Sequence, residues 1–526
     1  MKILVSDNLS EKGVEIFKKA KGIQVDVKTG LTPDELKAII KEYDGLVIRS
    51  ATKVTAEIIK AADKLKVVGR AGIGLDNVDI PAASQRGIVV MNTPEGNTIT
   101  TAEHAISLLL ALARKIPQAT ASLKDQKWEK KKFQGKEIFN KTLGIIGLGK
   151  IGSIVADRAK GLKMQVIAYD PFIQPEILLT KGIEPVTLEE LYQRADFITI
   201  HTPKTKDTLG LINAQAISKM KDGVMIVNAS RGGIVDEKAL YEGLKSGKVG
   251  GAALDVFETE PPGECPLFSL DNFVCTPHLG ASTDEAQENV AVSVAEQIVD
   301  YLLHGVIKNA VNVPSVSANL LERIKPYLVL AERLGAFQSQ ILKGGMTEVL
   351  IEYLGEVAGF DTKPMTVSVL KGLLSPILKD VVNFVNAPIL ARDRGIRVIE
   401  SKTDTVDDFL NLITLRVKTQ KMASSISGTL FGKYEPRIVR LNKFRLEAIP
   451  EGHMLLIYNE DKPGVIGSIG ITLGKHQINI EQMQVGQEKE KGENIILLTT
   501  DRAVSEPALK ELMALPLVKK AQPLEL

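Results

Sequence analysis

The run Leu143-Gly-Ile-Ile-Gly147-Leu-Gly149-Lys-Ile-Gly152 decides the fold. Its apolar start reads as a buried strand, and the residues that follow, Ile151 to Lys160, have helical periodicity. The glycines between them allow a tight turn and a close approach of the backbone to a pyrophosphate, whose charge is favoured at the amino end of a helix. A bare GxGxxG is a weak signal, but here strand, turn and helix agree. The next predicted strand ends on Asp170, an acid suited to accept hydrogen bonds from adenine ribose hydroxyls and to repel a 2′-phosphate. NAD is therefore expected in preference to NADP.

Outward from this loop, short β-branched runs alternate with amphipathic segments, the pattern of βαβ units and parallel sheets. Lys2 to Val5, Leu46 to Arg49, Val67 to Gly69 and Ile88 to Met91 form one predicted series, and Ala102 to Arg114 reads as a long buried helix leading away from it. A second series takes in Leu143 to Ile146, Val166 to Tyr169, Phe197 to Ile200, Val224 to Val227, Ala252 to Val256 and Phe273 to Cys275. Ala286 to His304 is helical and stops at Gly305, before a linker around Asn312, Val313 and Pro314. Beyond it lie strands such as Val349 to Tyr353 and Leu412 to Val417, without a motif that suggests chemistry. The last block, His453 to Leu526, reads as a βαββαβ unit. Its Gly464, Gly467 and Gly470 are spaced wrongly for a pyrophosphate and are expected to serve close helix packing.

A chain of 526 residues exceeds the ~250 to 300 residues at which single cores stop growing. We expect an α/β protein with two Rossmann-like doubly wound parallel sheets, a mixed α/β domain and a small ferredoxin-like domain. The expected boundaries are 1–97 completed by 286–313, then 98–285, 315–450 and 452–526. The 66 basic and 64 acidic residues leave a net charge of +2, too small for a broad nucleic-acid or anionic-lipid footprint, and aromatics at 5% offer few stacking platforms. The two cysteines, Cys265 and Cys275, form no CxxC, and no stretch approaches a membrane span. The amino terminus opens on the apolar run Ile3 to Val5 without a leader pattern. These features lead us to expect a soluble, unprocessed, cytoplasmic protein without a bound metal, nucleic acid or membrane.

Hydride transfer from an alcohol to a nicotinamide releases a proton, so a base poised near neutrality is required, and histidine is the usual choice. Of six histidines, His104 and His304 lie in helical patterns that look far from any strand end, and His453 and His476 belong to the last block. His201 and His278 follow strands of the second series, at the edge where open α/β sheets hold ligands. His278, in Cys275-Thr-Pro-His278-Leu-Gly280, is favoured by the acids of Asp255-Val-Phe-Glu258-Thr-Glu260-Pro261, which offer a carboxylate to orient an imidazole. Arg231, in Asn228-Ala-Ser-Arg231-Gly-Gly233, supplies a fork for a substrate carboxylate. Arg231, Glu260 and His278 come after three successive strands, which argues for one site.

The runs Gly144 to Gly152, Asn228 to Val235, Leu254 to Pro262 and Thr276 to Gly280 resemble the signatures of the D-2-hydroxyacid dehydrogenase family. The resemblance implies that Arg231 binds the substrate carboxylate, that His278 takes the hydroxyl proton and that Glu260 supports it. It also implies NAD contacts from Gly147, Gly149, Lys150, Ile151, Gly152, Asp170, Thr202, Ala229, Ser230, Asp255, His278, Leu279, Gly280 and Ala281. Val47-Ile-Arg49-Ser-Ala-Thr52 and Val68-Gly-Arg70-Ala-Gly72-Ile-Gly74-Leu-Asp76-Asn77 look like the phosphoglycerate-oxidising branch of the family. That likeness implies 3-phospho-D-glycerate as substrate, with Arg49 and Arg70 facing its phosphate and with Gly72 and Asn97 as further contacts. The lysines Lys127, Lys130, Lys131, Lys132 and Lys136 read as a solvated face, although the family often brings a cation from this region into a neighbouring subunit.

Residues beyond Pro314 resemble the long form, with an intervening allosteric substrate or anion-binding domain and a final ACT domain. The resemblance implies a homo-oligomer, dimer or tetramer, and an L-serine effector held near Asn459, Asp461 and Asn479. Two other readings remain: a broader 2-oxo acid reductase, for which a substrate phosphate facing Arg49 and Arg70 would be irrelevant, and an NAD-responsive corepressor, against which the terminal domain and the full set of Arg231, Glu260 and His278 count.

Overall fold

Five short strands, each flanked by helices, build the first sheet in the order Gln24–Val27, Lys2–Val5, Gly45–Ile48, Val67–Arg70 and Val89–Met91, all parallel. Residues 1–314, 318–379, 382–405, 408–488 and 493–526 are described in this computed structural model, so the start expected for the third domain at residue 315 lies outside the described residues. The strand Gln24–Val27 was not expected from the sequence. It is an edge strand without a fully buried residue, so the apolar pattern that marks its neighbours is missing.

The second sheet has seven parallel strands in the order Phe273–Cys275, Val249–Leu254, Val224–Asn228, Phe197–Ile200, Thr142–Ile146, Gln165–Tyr169 and Glu184–Pro185. One strand starts earlier than the Ala252 to Val256 expected, because Gly250 and Gly251 conceal its first half. The helix predicted from Ala102 begins at Thr98 and runs to Arg114, and it packs on Val224–Asn228 and Val249–Leu254. The helix Asp284–His304 returns to the first sheet, where Val290, Val294 and Ile298 join Ile3, Val47 and Val67 in one core.

In each parallel sheet the winding direction reverses once: between Lys2–Val5 and Gly45–Ile48 in the first, and between Thr142–Ile146 and Phe197–Ile200 in the second. Side chains do not fill the crevice at such a reversal, and ligands bind outside the carboxyl ends of the strands there. Asp7 and Arg49 follow the first reversal, whereas the loop 147–152 and His201 follow the second.

The third sheet is mixed, ordered Arg397–Thr403, Met346–Gly355, Asn411–Thr419, Ala423–Phe431, Glu435–Leu441 and Phe444–Ala448, and the helices Ala318–Ile341 and Lys363–Leu378 accompany it. The fourth is antiparallel, ordered Ile480–Glu488, Glu493–Thr500, His453–Glu460 and Val518–Glu525, with helices Val465–Lys475 and Glu506–Met513, so the βαββαβ order holds. Alternate residues of its strands enter different cores. Leu455, Ile457, Ile496 and Leu498 meet its own helices, whereas Met454, Leu456, Ile495 and Leu497 complete the core of the third sheet. The close packing expected at Gly467 and Gly470 is absent within the chain, because a side chain at either would meet open space. Among the described residues, no helix is long and apolar enough to cross a membrane, and no cluster of His, Cys, Asp and Glu could hold a metal.

Candidate active site

Three loops at the carboxyl edge of the second sheet carry Arg231, Glu260 and His278. The turn after Val224–Asn228 is tied by the Asn228 amide, which donates to the Arg231 carbonyl and accepts from the Ser230 N–H and hydroxyl at 3.0 and 2.8 Å. Gly232 lets this turn touch the loop after Val249–Leu254, since a Cβ there would collide with the Phe257 carbonyl. Glu260 is anchored in its turn by the Phe257 N–H at 3.1 Å. Its other oxygen lies 2.7 Å from His278 Nδ1. Burial alone would raise the Glu260 carboxyl, but the hydrogen bonds from His278 and Phe257 hold it below the usual carboxylate range. An ionised carboxylate only accepts, so Nδ1 carries the shared proton and, in the neutral imidazole, Nε2 keeps a free lone pair.

His278 has φ of +56°, a left-handed conformation uncommon for a residue with a Cβ. Asp255 holds it there. The Asp255 carbonyl accepts the His278 N–H at 2.9 Å, and its carboxylate accepts the N–H groups of Leu279 and Gly280 at 2.7 and 2.8 Å. Strain of this kind persists where the surroundings over-determine it, and it clusters at functional sites.

His201, the rival candidate, differs in its surroundings. Its Nε2 lies 2.9 Å from Thr199 Oγ1, its Nδ1 is buried without a partner, and burial lowers its pKa to about 4. No carboxylate steadies it. His104 corrects the sequence reading, because its Nε2 reaches Thr276 Oγ1 at 3.1 Å and Asp255 Oδ1 at 3.2 Å, beside the strand ends from which the sequence had seemed to separate it. Its spacing from Asn97 and Thr101 places the three on one helix face, but that spacing does not say which loop the face meets.

Guanidinium groups converge from the first sheet. Arg49 donates to the Asn8 carbonyl at 3.2 Å, and its own carbonyl accepts from Arg70 Nε at 3.3 Å. Arg70 also donates to the Gly74 carbonyl. Burial, then the neighbouring charges of Arg231 and Arg49, push Arg70 down to about 10, which leaves it charged at neutral pH. Arg231 donates from Nε to Asp76 Oδ2 at 3.0 Å, an ion pair between the two sheets' loops that sequence reasoning did not foresee. Gly72 is held by Thr93, and Asn97 is buried with its Oδ1 unpartnered. Lys150 bridges to Glu95 at 2.6 Å.

The residues expected to hold a dinucleotide fit one. Gly152 packs so closely under the Gly147 carbonyl that no Cβ is tolerated, whereas Gly149 faces open space at the amino end of the helix Lys150–Gly161, which leaves room for phosphate. Asp170 accepts the N–H groups of Leu148 and Phe172 at 2.8 and 2.9 Å, and each of its oxygens retains a lone pair. The buried Thr202 hydroxyl has no partner. Ile151 opens the helix beside Lys150; Ala229, Ser230, Leu279, Gly280 and Ala281 lie on loops at the same edge. Asp255 differs from the expectation of an accessible cofactor contact: it has no exposed surface, and its carboxylate is engaged by its own loop.

A cavity of about 320 Å³ lies in the fourth-sheet domain and is lined by Asn459, Asp461, Lys462, Gly464, Val485 and Asn494 among others. Asn459 and Asn494 face each other on neighbouring strands, and each has a buried Oδ1 without a partner. Asn479 does not line it; its backbone N–H is bonded to Asp501. Nor are the lysines around residue 130 wholly free, since Lys132 pairs with Glu129 and Lys136 donates to the Gly223 carbonyl.

An open nucleotide cradle facing an acid-histidine pair defines an NAD-binding oxidoreductase of the D-isomer specific 2-hydroxyacid dehydrogenase class. Residues 106–280 match the NAD-binding domain of that family. Residues 323–442 match the D-3-phosphoglycerate dehydrogenase intervening domain, and 453–517 match the ACT domain. The chain is 46% identical over its whole length to D-3-phosphoglycerate dehydrogenase of Synechocystis sp., covering 95% of that protein, and 47% identical over 98% of both chains to D-3-phosphoglycerate dehydrogenase of Archaeoglobus fulgidus. Among solved structures, NAD-dependent formate dehydrogenase from Staphylococcus aureus in complex with NAD aligns with a TM-score of 0.54 at 28% identity, covering 60% of this chain and all of that one. The chain belongs to the D-3-phosphoglycerate dehydrogenase family.

Proposed function

We infer that the protein oxidises 3-phospho-D-glycerate to 3-phosphonooxypyruvate with NAD, the reaction that opens L-serine biosynthesis. The observation that carries the substrate assignment is the convergence of Arg49, Arg70 and Arg231: Arg70 bonds the Arg49 and Gly74 carbonyls, the Arg231 guanidinium lies against Gly74, and the turn after Arg231 packs on the loop that carries Glu260. A phosphorylated hydroxy acid has two anionic ends, and arginine forks match carboxylate and phosphate oxygens alike. Arg231 takes the carboxylate, whereas Arg49 and Arg70 take the phosphate, with Gly72 and Asn97 beside them. The substrate hydroxyl gives its proton to His278 Nε2, and Glu260 balances the charge that then forms on the imidazole. Bound NAD would supply the acceptor for the hydride that leaves C2. The chain's part is to seat it on Gly147 to Gly152, Asp170, Thr202, Ala229, Ser230 and the loop from His278 to Ala281, which Asp255 holds from behind.

The cavity with Asn459, Asp461 and Asn494 is read as an L-serine site, because two unpartnered amide oxygens suit the ammonium of an amino acid. The chain works as a cytoplasmic homo-oligomer; exposed Ile116, Leu123, Trp128 and Phe139 within one short stretch favour self-association. One experiment tests the set: NADH formation from phosphoglycerate with the oxo product trapped, repeated with L-serine and with Arg70→Ala. Expected are suppression by serine and a loss of roughly 10²-fold in kcat/KM for phosphoglycerate in the variant, with glyoxylate reduction changed little. Equal loss on both substrates would remove the phosphate assignment.

A further inference from the structure

The helix Thr98–Arg114 leads from the first sheet into the second, and one of its faces grips the loop that carries His278. Thr101 Oγ1 lies 2.9 Å from the Gly280 carbonyl and 2.9 Å from the Asn97 carbonyl of its own helix, so its one proton is shared between the two. One turn further on, His104 reaches Thr276 and Asp255. Counting protons fixes the direction of these contacts. Asp255 is buried and held below the usual carboxylate range: burial alone would raise it, but the bonds from His104, Thr276 and the Leu279 N–H outweigh that effect. As a carboxylate it only accepts, so the single Thr276 hydroxyl proton is spent on Asp255 Oδ1 at 2.6 Å. The Thr276 oxygen is then an acceptor, and the His104 Nε2 beside it must be the donor, shared between that oxygen and Asp255 Oδ1.

Residue 255 in turn takes three successive backbone N–H groups, those of His278, Leu279 and Gly280, and so maintains the left-handed backbone at His278. A chain of hydrogen bonds thus runs from the helix, through an imidazole and a buried carboxylate, to the main chain that presents the base. A buried carboxylate deprived of one donor reorients toward the donors it retains, and the amides it holds move with it.

We propose that His104 is a positioning residue for His278, acting through Asp255 and Thr276 on the main chain of residues 278–280. It touches none of the arginines that bind the anionic ends of the substrate. Its loss therefore harms the chemical step and leaves substrate affinity largely intact. The proposal rests on the reading of His278 as the base, but it does not depend on which 2-hydroxy acid is turned over.

The test is steady-state kinetics of the full-length protein with His104 replaced by alanine, glutamine and leucine, with Tm measured for each. The parent is assayed first with phosphoglycerate and NAD, and with glyoxylate and NADH. A parent inactive on phosphoglycerate but active on glyoxylate sinks the substrate assignment alone, and the variants are then compared on glyoxylate. Expected is a fall in kcat of roughly 10-fold or more for alanine, as misplacement of a catalytic group by a fraction of an ångström would give, with the substrate KM within about twofold. His104→Gln, which retains an N–H donor of similar reach, recovers most of the rate, whereas His104→Leu, of similar volume, does not. Should alanine fail to fold, the glutamine and leucine variants decide. Equal rates in those two, or a rise in KM matching the fall in kcat, would overturn the proposal.

Discussion

Two histidines leave the same edge of the same sheet, His201 after Phe197–Ile200 and His278 after Phe273–Cys275, yet their surroundings have made them chemically different. His278 has half-exposed surroundings, a carboxylate on Nδ1 and a backbone held in an unusual conformation by Asp255. His201 is packed behind the nucleotide loop, where its carbonyl and the Thr202 side chain close in on Gly147, and among the described residues the one hydrogen-bond partner of its imidazole is the neutral Thr199 hydroxyl. Strand-end position alone therefore does not single out a base in this fold. A nearby carboxylate and access to the cleft make the difference, because they allow an imidazole to gain and lose a proton where desolvation alone forbids it.

The sharpest way to break this comparison is to remove the proposed base, His278. His278→Ala should lower kcat/KM by roughly 10³-fold, within the range seen for general bases, in a protein that still binds NAD by fluorescence titration. His201→Asn should cost far less. A loss at residue 201 as large as that at 278 would reverse the assignment. The next effect concerns the carboxylate. Glu260→Gln retains the shape, but its amide nitrogen competes to face Nδ1 and favours the wrong tautomer, so kcat should fall by roughly 10²-fold at neutral pH. Glu260 is about a third exposed and its pairing is solvent-screened, so the accompanying change in stability should be well under ~1 kcal/mol. That contribution is present above the ordinary carboxyl value of 4.5 and disappears as pH falls through the depressed one. Thermal melts of parent and variant should accordingly converge in acid.

Much of the fold was legible because its central strands are runs of fully buried aliphatic residues; Gly45–Ile48, Phe197–Ile200 and Val224–Asn228 have no exposed position. The edge strand Gln24–Val27 lacks that signature and escaped notice. Within the site, Arg231, Glu260 and His278 could be read because each follows a strand, and a strand end fixes a location. His104 and Asp76 could not. Helical periodicity says that His104 shares a face with Thr101, but the loop that this face meets is set by a contact between residues about 170 positions apart. Asp76 is an exposed loop acid until the fold sets it against Arg231 from the other sheet. The paired asparagines 459 and 494 depend similarly on antiparallel register, which places them opposite one another across two strands.

The smallest effect tests the other half of the comparison, the cost of burying an imidazole without a counter-charge. His201 has a folded pKa of about 4 against an ordinary value of 6.5, so as pH falls below 6.5 the unfolded chain takes up a proton that the folded chain refuses. Unfolding is favoured throughout that interval; below about pH 4 both states are protonated and the penalty stops growing. The window of about 2.5 units corresponds to roughly 3 to 4 kcal/mol. His201→Asn has no such proton to refuse. Its unfolding free energy, from urea titrations at several pH values, should fall less steeply than the parent's between pH 6.5 and 4 and run parallel to it above pH 7. Parallel curves through the whole range would mean that His201 takes up its proton while folded, and the contrast with His278 would then rest on geometry alone.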